Sequence, residues 1–221
     1  QLNTTTVDYT FPFEASNSRI DFIRIATHIK DLNKSLELGQ RLLDKGYKIA
    51  INIMQAHNLN KKVINEFSQL SKDLELQSVY FADSLGCMVP GQINKLVTTL
   101  KNSTTFPIGI HAHNNMGLAL ANTVEAVNSG VEWIDMTMTG MGRGPGNTLT
   151  EDALFYLLDS SYELAVNSID SKKFERLEDA KKIHDELMET YPETKYIDKS
   201  NKMMEFIEQE ITTFAKNATV Q

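Results

Sequence analysis

The chain has 221 residues, enough to bury a sizeable core, and its 41% hydrophobic and 23% charged content is that of a globular rather than a disordered protein. A net charge of -7 argues against nucleic acid or an anionic membrane surface as the main partner, because either would repel the chain. One cysteine, Cys87, excludes an intrachain disulfide, no apolar run nears the ~20 residues of a spanning helix, and the expected setting is a reducing cytoplasm.

Ile20 to Thr27 is rich in β-branched and aromatic residues and reads as the first strand, ending at Thr27-His28. Leu32, Leu36, Leu38, Leu42 and Leu43 then fall at helical spacing, and Gly46 closes that helix as a C-terminal cap requires. Lys48 to Met54 is the second strand, with Gln55 and His57 just past its end. Val63, Phe67, Leu70 and Leu74 mark the next helix. Ser78 to Asp83 is the third strand and leads into Asp83-Ser84-Leu85-Gly86. Ile93, Leu96, Val97 and Leu100 give another helical stripe. Pro107 to His113 and Glu132 to Thr139 are the fourth and fifth strands, with Gly130 ending the helix between them. After Asp159 the pattern changes. Leu177, Ala180, Ile183, His184 and Leu187 make one stripe, and Met203, Met204, Phe206, Ile207, Ile211 and Phe214 another, on either side of Pro192. The expected division is a catalytic part over 1–160 and a helical appendage over 161–221, with the second stripe as core and His184 on the helix surface.

Strands recurring about every ~28 residues with helices between them imply a parallel sheet covered by helices, either open or closed into a (β/α)8 barrel. The polar residues decide between these. Thr27-His28, Gln55 with His57, Asp83-Ser84, His111 with His113, and Thr137 to Gly140 all fall at the C-terminal ends of strands, where a barrel places its site. An open sheet binds at a switch point, usually beside a glycine-rich turn after its first strand, and that turn is missing here.

The most specific local signal is His111-Ala112-His113. In a strand, alternate side chains share a face, so both imidazoles project together and can hold one cation, while Ala112 points away. Taken alone, such a pair is equally compatible with polar surface or core. The segment Met138 to Asn147 carries Gly140, Gly142, Gly144 and Gly146, which let the backbone approach a ligand or metal, and Asn147 adds a neutral oxygen donor. Asp83 can serve a metal shell or orient a histidine and Ser84 can bind a substrate carboxylate; either residue can also cap a turn.

Four motifs occur in order at successive strand ends: Arg24-Ile25-Ala26-Thr27-His28, Asp83-Ser84-Leu85-Gly86, His111-Ala112-His113-Asn114-Asn115 with Gly117 and Asn122, and Gly140 to Asn147. Over roughly Asp21 to Leu158 this resembles the DRE-TIM metallolyase (HMGL-like) superfamily, and within it the 4-hydroxy-2-oxovalerate aldolases. The resemblance implies a TIM barrel with a divalent metal, Mn²⁺ or in its place Mg²⁺, held by His111, His113 and Asn147. It implies that Ser84 helps bind the 2-oxo acid and that Asp83 supports it. It implies cleavage or formation of a carbon–carbon bond of a 4-hydroxy-2-oxo acid through a metal-stabilised pyruvate enolate. None of the five strand ends carries a Schiff-base lysine, which agrees with a metal route.

The sequence departs from the family at one place: the first-strand aspartate ligand and adjacent arginine are not found. Ile20 to Thr27 corresponds to the family's fourth strand, so about three of the eight βα units lie outside this sequence or on another chain. The catalytic base therefore has no certain counterpart, with His28 a weak candidate and His57 a residue that can approach the site. Two other readings stay open: a Claisen-type synthase joining an acyl-CoA to a 2-oxo acid, and a noncatalytic binding subunit. Small 2-oxo acids are the expected partners, a homo-oligomer the expected assembly, and a partner dehydrogenase is left open.

Overall fold

The structure is a computed structural model that describes residues 13–218. The chain divides into two compact units, Gln1–Thr148 and Leu149–Gln221. In the first unit the order is β1 (Phe22–Thr27), α1 (Leu32–Asp44), β2 (Lys48–Ile53), α2 (Lys61–Ser71), β3 (Ser78–Asp83), α3 (Pro90–Ser103), β4 (Ile108–Ala112), α4 (Ala119–Asn128) and β5 (Trp133–Asp135). Each strand pairs in parallel with the next, giving a sheet in the order β1-β2-β3-β4-β5. A sheet that never reverses its order has no switch point, and this is how a barrel wall is built.

The alternation in β1 is visible in its burial: Ile23, Ile25 and Thr27 are buried while Phe22, Arg24 and Ala26 are exposed. Ile23, Ile25, Ile49, Ile51 and Ile53 pack with Leu32, Leu36, Leu38 and Leu42 of α1 in one core. Phe81, Ile108, Ile110 and Ala112 pack with Ile93, Leu96, Val97 and Leu100 of α3 in a second. Fully burying one such side chain stabilises the fold by roughly 1.5–3 kcal/mol. The opposite, concave face carries Arg24, Asn52, Tyr80, His111 and Asp135. Two helix starts are set locally: the Asn60 side chain accepts from the Val63 amide at 3.1 Å, and Pro90 opens α3.

The second unit is a helical bundle of α5 (Thr150–Val166), α6 (Asp170–Thr190) and α7 (Ile197–Ala218). Its core includes Leu158, Leu177, Ala180, Leu187, Met203 and Ile207. The boundary expected at residue 160 falls instead at Thr148, because α5 packs with α6 and α7. His184, expected on the surface, is 8% exposed, and its Nε2 is buried with no hydrogen-bond partner. Leu177, Ala180 and Leu187 drag it inward, since residues three and four apart share a helix face. The fifth strand is shorter than expected, because Met136 onward leaves the ladder for the glycine-rich loop. No helix among the described residues is long and apolar enough to cross a membrane.

Candidate metal centre

His111 lies in β4 beside Asp135 of β5. His113 stands one residue past the end of β4, bridging in antiparallel fashion to Asn147. The two imidazole rings lie with centroids 5.0 Å apart at 77°, so the i and i+2 spacing does bring them together although only one is within the strand. Asn114 N–H donates to the Gly146 carbonyl at 2.9 Å, and Asn147 N–H to the Gly140 carbonyl at 3.1 Å, which closes the glycine loop against β4. Gly146 sits at φ +100°, and a Cβ there would lie 2.0 Å from the Gly140 oxygen. Only glycine fits that turn.

The rings of His111 and His113 face each other at this edge, and the backbone of Asn147 bridges to His113 beside them. Asn147 Oδ1 is buried and has no hydrogen-bond partner. A buried, unpaired oxygen is costly in a folded protein, about 1–3 kcal/mol, unless a ligand or ion satisfies it. The pair of imidazole nitrogens and this oxygen are of the types that make up part of the ligand set of a divalent cation. They are only part of it: among the described residues no group of three His, Cys, Asp or Glu stands together to hold a metal, so an anionic donor is not supplied from this set. Burial lowers the His113 pKa, and the proximity of His111 lowers it further, against a hydrogen bond to the Arg143 backbone. That keeps the ring neutral, the form that binds metals.

Three concave-face residues that sequence reasoning left without a role complete the centre. His111 Nδ1 lies 2.7 Å from Asp135 Oδ2. Arg24 Nη1 lies 2.7 Å from both oxygens of the same carboxylate. The Arg24 guanidinium also stands 4.6 Å above the Tyr80 ring. Burial alone pushes the Asp135 carboxyl up, but hydrogen bonds from His111 and Arg24 outweigh it and hold the group below its ordinary range. The ladder sets Asp135 level with His111.

The remaining expected residues are placed as follows. Asp83 is fully buried, and its two oxygens accept from the amides of Cys87 and Met88, each at 3.1 Å. Both oxygens hold the turn after β3, the capping role that the sequence left open beside a supporting role for Ser84. Ser84 Oγ accepts from the Gln55 amide at 3.0 Å, tying the ends of β2 and β3, and its only acceptor for its own proton, Ala82 O, is 3.5 Å away. His28 follows β1 and opens the 3-10 turn Ile29–Asp31 at the same end of the sheet. His57 is not brought to the centre. It lies in the 3-10 turn Ala56–Asn58, exposed, and lines a cleft with Lys61 and Lys95 between α2 and α3.

The sequence profile of the HMGL-like family matches residues 5–180. A 4-hydroxy-2-oxovalerate aldolase of Pelotomaculum thermopropionicum is 34% identical over 153 residues, covering 69% of this chain and 45% of the relative. The chain thus spans less than half the length of that relative. Among solved structures, the N-terminal domain of a candidate aldolase from Bacteroides vulgatus superposes with a TM-score of 0.59 at 25% identity, over 88% of this chain and 63% of that one. An HMG-CoA lyase of Bacillus subtilis does so with a TM-score of 0.58 at 19% identity, over 84% and 68%. Its likeness bears on the fold, and the five-stranded sheet with its helices is a run of consecutive βα units of a TIM barrel. With the profile covering most of the sequence and the histidine pair at the barrel's C-terminal edge, the chain belongs to the HMGL-like family.

Proposed function

We propose that this chain is part of a divalent-metal-dependent carbon–carbon lyase of the pyruvate aldolase type, acting on a 4-hydroxy-2-oxo acid. The observation that supports this most directly is the orphaned oxygen of Asn147, whose backbone bridges to His113, beside two imidazole rings 5.0 Å apart. In this reading His111, His113 and Asn147 hold the cation, Mn²⁺ or Mg²⁺, together with donors beyond the described set. When bound, the cation supplies Lewis-acid stabilisation of the negative charge left on the pyruvyl fragment as the bond breaks. Ser84, whose proton has only a distant acceptor, turns its hydroxyl toward the carboxylate of the 2-oxo acid. The glycine loop supplies backbone that approaches the substrate without side-chain obstruction. Among the described residues, none of the five strands carries a lysine at its C-terminal end, which agrees with a metal route.

The experiment is a pyruvate-release assay on the complete protein with 4-hydroxy-2-oxo acids, with and without added Mn²⁺. The expected result is Mn²⁺-dependent pyruvate that disappears in His111→Ala and His113→Ala, alongside a loss of bound metal in both. Metal content unchanged in the two variants ends the metal assignment. Acetyl-CoA consumption with a 2-oxo acid, in place of pyruvate release, moves the protein to the synthase class.

A further inference from the structure

Asp135 faces two groups at once, and they ask different things of it. Arg24 needs only a counter-charge. His111 needs more, because an imidazole that ligates a metal through one nitrogen must carry its proton on the other. The Asp135 Oδ2 to His111 Nδ1 distance of 2.7 Å is that of a charge-assisted hydrogen bond, and an ionised carboxylate can only accept. A proton therefore sits on Nδ1, and Nε2 is turned away from Asp135.

We propose that Asp135 is a positioning residue that sets the tautomer and ring orientation of His111, and that Arg24 fixes Asp135 in place for it. The inference rests on the metal reading of the histidine pair. Arg24 is itself held by a stack: its guanidinium lies over Tyr80, and Tyr80 has room for its ring because Gly109 lies opposite it in register. A Cβ on Gly109 would come within 2.4 Å of that ring. The line Gly109, Tyr80, Arg24, Asp135, His111 joins β1, β3, β4 and β5 across one face, and each member restricts the next. Outer carboxylates of this kind raise the affinity of a histidine site by holding the ring ready, and losing one typically costs 10–100-fold in metal affinity.

The test uses the complete protein and two readouts other than turnover. Long-range ¹H–¹⁵N correlation on the metal-free protein reports the His111 tautomer, with His111→Gln identifying its signals, and calorimetric titration with Mn²⁺ reports affinity. The expected result is an Nδ1–H tautomer in the wild type, affinity about 10–100-fold weaker in Asp135→Asn, a smaller loss in Arg24→Gln, and partial recovery in Asp135→Glu. A role confined to pairing with Arg24 would instead lower the melting temperature equally in Asp135→Asn and Arg24→Gln with Mn²⁺ affinity unchanged, and that overturns the proposal. So does an Nε2–H tautomer in the wild type. If Asp135→Asn fails to fold, the wild-type spectrum and the Asp135→Glu titration carry the same decision. Wild-type protein that binds no Mn²⁺ yet shows Nδ1–H overturns the metal reading while supporting Asp135 as the group that sets the ring.

Discussion

Asn147 and Gly109 show how much a single residue decides in this centre. Asn147 keeps its side-chain oxygen buried and unpaired, a state it shares with Asn52 Oδ1 and Asn122 Oδ1 among the described residues. Asn147→Ala is expected to weaken Mn²⁺ binding at least tenfold, a loss of the size seen when supporting groups of metal sites are removed. A titration showing wild-type affinity would take Asn147 out of the ligand set. Gly109→Ala places a methyl against the Tyr80 ring and is expected to destabilise the protein by about 1–3 kcal/mol, read from chemical denaturation. The approach of the two histidine rings was legible in the sequence because alternate residues of a strand share a face, while Asn147 entered as a candidate metal ligand through the family resemblance. Asp135 was not, since an aspartate in a strand says nothing until its neighbour across the ladder is known, and Arg24 stood only as one residue of a motif. Asp83 stayed open for a related reason: a carboxylate at a strand end serves a turn as readily as a ligand, and its two amide partners show the turn.

At the scale of elements, short β-branched runs located the five strands, two of them buried on both faces, and helical spacing of apolar residues located helices between them. The ends were harder. Glu132 to Thr139 reads as one extended run, yet only Trp133–Asp135 stays in the ladder, since Thr137 pairs instead with Thr148 beyond the glycine loop. In α6 the stripe of Leu177, Ala180 and Leu187 was legible, but His184 was set aside as polar although it lies on the same face. Its buried Nε2 lacks a partner, so His184→Leu removes an unsatisfied atom and keeps the bulk. That variant is expected to raise the melting temperature, with stability gained on the order of 1 kcal/mol. A fall of similar size in thermal unfolding would mean that the ring's bond to Asp185 outweighs the orphaned nitrogen.

Across the first unit as a whole, the ion pair of Arg24 and Asp135 joins the first strand to the fifth. Strands spaced at about 4.8 Å would set β1 and β5 roughly 19 Å apart in a flat sheet, beyond an arginine's reach, so the sheet curls toward its concave face. This curvature was implied by the βα rhythm, but no sequence pattern names the pair that spans it. The pair also gives the unit an acid limit. Asp135 titrates below its ordinary range when folded, so the unfolded chain binds the proton first as pH falls. Its stabilisation is complete above the unfolded value of about 3.9 and is lost as pH drops through the folded one. Melting temperatures of the wild type and Asp135→Asn are therefore expected to differ most near neutrality and to converge in strong acid; a constant gap would show that the charge is not responsible.

The uninterrupted strand order has a consequence for how the molecule is made. Every strand docks on the one synthesised just before it, so a chain leaving the ribosome can lay down its wall progressively, each βα unit templating its successor. The contact between Arg24 and Asp135 is the exception, since it waits for 111 residues of chain to emerge. Local pairing would then accumulate early and quickly, while the binding edge acquires its final shape only when the last strand arrives and the ring of His111 is caught.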